Sequence, residues 1–144
     1  MKYVILAIFI IAVATLDASW EQDNPLDVDK FLAAVAQVET GGDYTQIGAH
    51  GERSEYQFMR ATWVEYTDVP FALASTHNGM VQIVAKLHAM RLMAALRERE
   101  VDYYTHPLNV ATAWNRGAGA VNGYLINGHP DYAVRVANLY NTEK

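Results

Sequence analysis

Apolar residues recur at helical spacing along most of this chain of 144 residues. In the first such segment, Phe31, Leu32, Val35 and Val38 fall on one face of a helix. A half-buried strand would instead alternate apolar and polar residues, and no useful length does so apart from short pieces in the loop 40–55. The pattern predicts an all-α, mainly helical fold, with short strands expected only in that loop.

Glycine, proline and capping residues divide the sequence into predicted helices. Asp27 is a suitable N-cap for the first helix, and Gly41 is suited to the left-handed residue that ends it. Pro107 and Pro130 fit the starts of two later helices, because proline is tolerated in the first turn. The predicted helices span about residues 28–39, 58–66, 79–100, 107–114, 120–126 and 130–140.

The predicted helix 79–100 is the longest, and its apolar stripe is expected to face the core. The stripe consists of Met80, Ile83, Val84, Leu87, Met90 and Met93. The composition is 51% hydrophobic, which suits a globular domain, and the chain has no cysteine. Such a domain must be held together by its core, without disulfide bonds.

The N-terminus has the pattern of a secretory signal. One lysine precedes an unbroken apolar run from Tyr3 to Ala14, and small residues follow it. We expect cleavage after Ala14 or Ala18, which would export the protein to the periplasm or the extracellular space. An uncleaved membrane anchor is the alternative, although a comfortable span needs about 20 residues. The predicted parts are a leader at 1–18, a polar linker at 19–27 and one domain at 28–144.

The charge and the histidines exclude several classes of partner. The formal net charge is −5 and no basic block occurs, so nucleic acid is not expected, and membrane contact is expected only through the N-terminal segment. We expect a monomer. No histidine pair has helical metal-ligand spacing, so no metal and no cofactor are expected. The histidines, expected to be ordinary loop or surface residues, are His50, His77, His88, His106 and His129.

Glu39 stands in the last turn of the first predicted helix, beside Val38 and just before two glycines. The negative end of the helix dipole disfavours a carboxylate, and partial burial would act in the same direction. Both effects raise the pKa of a glutamate, as a general acid working near neutral pH requires. From these residues alone, a catalytic acid and a solvated glutamate both stay open.

Two further stretches hold residues suited to binding a ligand. The segment "SEYQFMRATW" (54–63) contains Gln57, and "TAWNRGAGAVNGY" (112–124) places Asn115 between an aromatic residue and a glycine-rich break. Each also has a structural interpretation, since Gln57 could start a helix and Asn115 with Gly117 could stop one.

Together with Glu39, these stretches resemble, in the same order, the motifs of the soluble lytic transglycosylase family of the lysozyme-like superfamily. Glu39 is followed by Thr40 where the family has Glu-Ser, so the hydroxyl is kept. In the second motif, Ser54 stands where the family has glycine and Arg60 where it has proline. The matching residues of that motif are Gln57, Phe58 and Thr62.

The third and fourth motifs extend the resemblance to the end of the domain. Residues 114–121 match the family's aromatic-Asn-x-Gly-x-Gly-Ala-Val run, with Trp114 for the usual tyrosine. Tyr132, with Ala133 and Val136, fits the last motif. The resemblance covers about residues 28–140 and implies a lysozyme-like helical domain with a substrate groove.

The resemblance also implies an activity, which is cleavage of the β-1,4 bond between N-acetylmuramic acid and N-acetylglucosamine in peptidoglycan. Glu39 would protonate the glycosidic oxygen and then take the proton of the sugar's own C6 hydroxyl, which closes onto C1 to give a 1,6-anhydro product. Tyr132 would orient Glu39, and Trp63 would either stack on a sugar or pack in the core. The residues expected to bind the glycan strand are Tyr56, Gln57, Phe58, Asn115 and Tyr132.

Two other functions stay open. A goose-type lysozyme-like hydrolase would use a second carboxylate to position water, and Glu52 and Glu55 are the candidates, with Asp43 nearby. These acidic residues could also belong to a solvated loop. A peptidoglycan-binding protein without catalysis is the alternative of another class, although binding alone does not require a glutamate at a helix end.

Overall fold

The computed structural model describes residues 25–76 and 78–142, without the side chain of Asn78. The predicted leader and the linker up to residue 24 lie outside the described residues. The described chain is mostly helical, as the apolar spacing predicts. The α-helices are α1 (Val28–Thr40), α2 (Arg60–Trp63), α3 (Asn78–Glu98), α4 (Pro107–Arg116), α5 (Val121–Asn127) and α6 (Asp131–Thr142), and 3₁₀ turns span Phe71–Ser75 and Ala118–Ala120.

The core forms where α6 packs against α1 and α4, and where α3 packs against the same two helices. Phe31 and Val35 of α1, Val84 of α3, Val110 of α4 and Val136 of α6 are buried there. Full burial of side chains of this size contributes roughly 1.5–3 kcal/mol each. The helices that carry the candidate motifs are therefore fixed by the main core of the domain.

Both ends of α1 are capped as the sequence predicts. The Asp27 carboxylate accepts a hydrogen bond of 3.0 Å from the Lys30 backbone N–H. At the other end, Gly41 has a φ of 68°, and the backbone N–H groups of Gly41 and Gly42 donate to the carbonyls of Gln37 and Ala36. This cap stops the helix one residue after Glu39.

The end of the predicted linker 19–27 belongs to the folded domain. Leu26 is buried in the hydrophobic core, and the backbone N–H of Asp27 donates to the hydroxyl of Tyr140 at 3.0 Å. Because Leu26 is part of the core and Asp27 is bonded to α6, the folded domain begins before residue 28.

The buried face of α3 differs from the predicted stripe. Val84 and Met93 are buried, but Ile83 is 53% exposed. The face that meets α1 and α4 is centred instead on small and branched residues, and Ile83 lies on the other side of the helix. Its buried residues are Val81, Val84, Ala85, Ala89, Leu92, Met93 and Leu96.

Within the described residues, one segment, Gly79–Glu98 of α3, is long and apolar enough to cross a membrane by length and composition alone. The core helix of a globular domain passes the same test, and α3 contributes buried residues to the core. The apolar character of α3 is therefore weak evidence for a membrane span.

The loop 40–55 forms no extended strand in the described structure, only isolated antiparallel bridges that pair Ile47 with Arg53 and Arg53 with Phe58. Because Phe58 pairs with Arg53, α2 begins at Arg60 rather than at the predicted residue 58. Trp63 is fully buried and its indole N–H donates to the Val69 carbonyl at 2.7 Å, so it packs in the core and cannot stack on a sugar.

Candidate active site

An open, mainly polar groove forms where the end of α1, the loop before α2, the middle of α3 and the end of α4 meet. Segments far apart in the sequence supply its walls, and three of the four motifs contribute to it. The residues that line it are Glu39, Glu52, Tyr56, Gln57, Phe58, Met59, Thr62, His88, Trp114 and Asn115.

Glu39 lies half-buried at the C-terminal end of α1 with its carboxyl in the groove. Burial raises the pKa of Glu39, since a charged carboxylate loses solvation, and the negative charge of Glu52 adds to the rise. The Tyr132 hydroxyl and the charge of Arg135 act in the opposite direction without cancelling the effect of burial. The carboxyl is therefore biased towards its protonated form.

The Tyr132 hydroxyl, which α6 carries, is buried beside the Glu39 carboxyl. It is close enough to lower the pKa of Glu39, yet its position lies outside the geometry of an ordinary hydrogen bond. Burial, with the charge of Glu39, raises the pKa of Tyr132, so the phenol stays a hydrogen-bond donor. Catalytic hydrogen bonds are often loose without substrate and tighten when it binds.

Gln57 enters the groove from a strained backbone. Gln57 has a φ of 49° and Ser54 a φ of 69°, a region that side-chain-bearing residues reach at a cost of order 1–3 kcal/mol. The side-chain amide of Gln57 donates a hydrogen bond from Nε2 to the Ser54 carbonyl at 2.8 Å. This bond fixes the orientation of the Gln57 side-chain oxygen, Oε1. Ser54 stands where the resembled motif has glycine, the residue that adopts this φ freely.

Glu52 also lines the groove, and its carboxylate Oε2 accepts a hydrogen bond of 2.9 Å from the His50 backbone N–H. Backbone hydrogen bonds, from its own amide and from that of His50, lower the pKa of Glu52. Glu52 Oε2 and Gln57 Oε1 both crowd the place where a side chain at Gly48 would begin. Both oxygens thus lie against Gly48, and a side chain at that position would displace them.

Glu55, the other candidate second carboxylate, does not line the groove. It is 5% exposed, and its Oε1 accepts a hydrogen bond of 2.9 Å from the Gln82 side chain. Its Oε2 has no hydrogen-bond partner among the described residues. Burial raises the pKa of Glu55. Gln82 in turn accepts from the Tyr56 hydroxyl at 2.7 Å, so Glu55 belongs to a buried network behind the groove.

The predicted sugar-binding residues differ in how much of them a ligand can reach. Tyr56 and Phe58 are nearly buried and pack edge to face or tilted against Trp114, so they form the groove floor rather than stacking platforms. Asn115, in the last turn of α4, is exposed and lines the groove. Its amide can reach a ligand directly.

His88 is a groove residue that the sequence interpretation missed. It was expected to be an ordinary loop or surface histidine, but it lies on α3 at the groove wall, partly buried, with its ring 4.8 Å from that of Trp114. Its spacing from Ala85 and Leu92 puts it on the buried face of α3. That spacing indicates burial of His88, but the apolar stripe predicted for this helix was centred on a different face.

Between residues 25 and 142, leaving out His77, no group of three histidine, aspartate or glutamate side chains is placed to hold a metal ion. Comparisons of the chain with protein-family models, with curated proteins and with solved structures gave no match.

Proposed function

We propose that this protein cleaves the β-1,4 glycosidic bond of peptidoglycan with Glu39 as its general acid. The observation that carries the proposal is Glu39 itself, a groove carboxyl whose pKa burial raises. A protonated carboxyl in an open groove can donate to the leaving oxygen of a sugar linkage, and a chain of sugars fits an open groove better than a closed cavity.

The meeting of distant motifs supports the choice of substrate. Glu39, Gln57 and Asn115 come from α1, the loop and α4, and all three line one groove. Tyr132 from α6 lies against Glu39. The resemblance to lytic transglycosylases was drawn from sequence order alone, so this convergence is independent support for it.

In the preferred route, Glu39 gives its proton to the glycosidic oxygen as the bond to C1 breaks. The C6 hydroxyl of the same sugar then bonds to C1, and its proton passes to the Glu39 carboxylate. The product carries a 1,6-anhydro ring, and Glu39 returns to its starting state. One carboxyl suffices, because the attacking hydroxyl is tethered to the reacting carbon.

Hydrolysis is the second candidate, and the placement of Glu52 favours it. Glu52 faces the same groove as Glu39, and backbone hydrogen bonds lower its pKa, which favours the ionised form. An ionised carboxylate in the groove can take a proton from a water molecule as that water attacks C1. Glu55 is not part of this candidate, since it lies behind the groove.

Mass spectrometry of the products released from purified peptidoglycan tests the proposal. We expect muropeptides that end in a 1,6-anhydro ring. Products with a reducing end, heavier by one water, would support hydrolysis by Glu52 instead. Intact peptidoglycan to which the protein remains bound would contradict both enzymatic routes and support a binding protein. Export through the predicted leader is part of the proposal, because the substrate lies outside the cytoplasm.

A further inference from the structure

His88 is held at the groove wall by contacts that the proposed reaction does not use. Its Nδ1 lies 2.9 Å from the Tyr66 hydroxyl, and the two rings meet edge to face with centroids 5.7 Å apart. Phe58 and Trp114 pack against other sides of the imidazole. The ring is thus held in one orientation at the groove wall.

The neighbours of Tyr66 favour one of the two neutral tautomers of His88. Arg91 lies beside the Tyr66 hydroxyl and pairs with Glu65, and a guanidinium can only donate hydrogen bonds. A cation beside the Tyr66 oxygen favours the arrangement in which the phenol directs its own proton to Nδ1 of His88. In that arrangement Nδ1 accepts, and the ring proton resides on Nε2.

The Nε2 atom of His88 makes no hydrogen bond within residues 25–76 and 78–142, and unlike Tyr132 Oη it is not sealed from solvent. The ring lines the groove together with Glu39 and Asn115. Burial, aided by the charge of Arg91, lowers the pKa of His88 to about 4, so the ring is neutral at neutral pH.

We propose that His88 is a substrate-binding residue, a neutral hydrogen-bond donor that presents Nε2–H to an acceptor oxygen of a sugar in the groove. The chemical class of ligand is an uncharged glycan, bound through a hydroxyl or acetamido oxygen. The identification of the ligand as a glycan rests on the proposed function, whereas the donor state and the orientation of His88 do not.

Nuclear magnetic resonance of the histidine side chains tests the proposal in the full chain. The probe is a tetramer of β-1,4-linked N-acetylglucosamine, added to Glu39→Gln so that no turnover occurs. We expect the free protein to show His88 protonated at Nε2, and the tetramer to shift its Nε2 and Hε2 signals. His129 is the internal control, because its Nδ1 also has a hydroxyl partner, Thr112 Oγ1 at 2.8 Å, while it does not line the groove.

Substitution gives a second measurement. His88→Phe keeps a ring of similar shape and removes the donor, and we expect affinity for the tetramer to fall about three- to tenfold, the usual value of one neutral hydrogen bond. In the active protein the same loss should appear mainly in KM. His129→Phe should leave both quantities unchanged.

The outcomes separate this inference from the proposed function. Cleavage of peptidoglycan with an unmoved His88 signal, or with full affinity in His88→Phe, would overturn the inference and leave the function standing. A shifted His88 signal and weakened binding without cleavage would support the sugar contact and contradict the enzyme. Failure to bind the tetramer at all would overturn the inference.

Discussion

Glu39 owes its protonation state to opposing neighbours of known position. Burial and the charge of Glu52 favour the neutral acid, whereas Tyr132 and Arg135 favour the carboxylate. Activity should therefore fall as the pH rises through the pKa of Glu39, which lies above its ordinary value of 4.5. The neighbours provide a way to move this alkaline limb in either direction.

Glu52→Gln and Arg135→Gln form a matched pair for that purpose. Removal of the Glu52 charge lowers the pKa of Glu39, so the alkaline limb of the pH–activity profile should move to lower pH. Removal of the Arg135 charge raises that pKa, so the limb should move to higher pH. Arg135 is exposed and does not line the groove, so its variant should keep substrate binding.

The magnitude of the Glu52→Gln effect distinguishes the two chemical routes. If the C6 hydroxyl attacks, the variant should retain activity within about tenfold, because no second carboxylate is needed. Loss of a general base would instead cost about 10²–10⁴ in rate. Limbs that fail to move in opposite directions would contradict the assignment of the alkaline limb to Glu39.

The capping residues, whose role depends on neighbours in sequence, were predictable, whereas backbone strain and the burial of helix faces, which depend on neighbours in space, were not. Asp27 and Gly41 cap α1 as expected, since capping is decided within a few residues. The positive φ of Gln57 and the groove position of His88 depend on pairing between Arg53 and Phe58 and on the packing of α3. Neither has a local sequence signal strong enough to predict it.

At the scale of elements, the loop between α1 and α2 acts as one wall of the groove. Its bridges, Ile47 with Arg53 and Arg53 with Phe58, fold it back on itself and bring Glu52 and Gln57 together beside Gly48. The Thr40 hydroxyl also contacts the Glu55 carbonyl at 3.3 Å and ties the loop to the end of α1. The loop position therefore fixes the distance between Gln57 and the helix that carries Glu39.

Gly48→Ala tests the loop as a groove wall. The new methyl group would collide with Gln57 Oε1 and Glu52 Oε2, both at the ends of flexible side chains that can move. We expect activity on peptidoglycan to drop about tenfold or more, as misplacement of a site group commonly does, while the thermal midpoint changes little. Gly79→Ala is the matched control, because an added Cβ there meets no atom of the described residues within 4 Å.

A large loss of stability in Gly48→Ala, or unchanged activity in a variant that folds normally, would contradict the assigned role of the loop.

The sequence predicted which segments are helical but not how each helix is oriented in the fold. Helix identity followed from spacing, but the face of α3 that is buried was misassigned, because Ile83 and Val81 are both apolar and only the partner helices decide between them.

At the scale of the whole molecule, the domain keeps two carboxyls in surroundings that disfavour their charge. Glu39 faces the groove, but Glu55 lies behind it, and one of its oxygens has no partner in the part of the chain that the structure describes. A carboxyl whose pKa is raised by burial binds a proton more tightly in the folded state than in the unfolded chain. Stability therefore declines as the pH rises from about the unfolded pKa, 4.5, through the raised folded pKa.

Glu55→Gln should for this reason stabilise the protein at neutral pH, and the gain should vanish at pH values below 4.5, where Glu55 is neutral in both states. Urea unfolding of the variant and the wild type across pH measures it. Glu98→Gln, at the exposed end of α3, is the control for the change in net charge. A neutral-pH loss of stability in Glu55→Gln would show that the carboxylate has a stabilising partner.

The groove itself joins α1, the loop, α3 and α4, and no single segment predicts it. The sequence predicted the residues Glu39, Gln57 and Asn115 through ordered motifs, and the structure brings these three to one groove. The sequence could not decide which of Glu52 and Glu55 is the second carboxylate, because both precede Gln57 by a few residues. Only the fold separates them, one into the groove wall and the other into the buried network with Gln82.

The release of soluble muropeptides from purified peptidoglycan by Glu39→Gln measures whether Glu39 is the catalytic acid. The variant keeps the size of the side chain and an oxygen that faces Tyr132, so the fold and glycan binding should be retained. It cannot donate or accept the catalytic proton, and loss of one acid–base function alone costs about 10²–10⁴ in rate. We expect the rate to fall at least a hundredfold, with glycan binding unchanged. A variant that keeps more than a tenth of the wild-type rate would contradict the assignment of Glu39 as the catalytic residue.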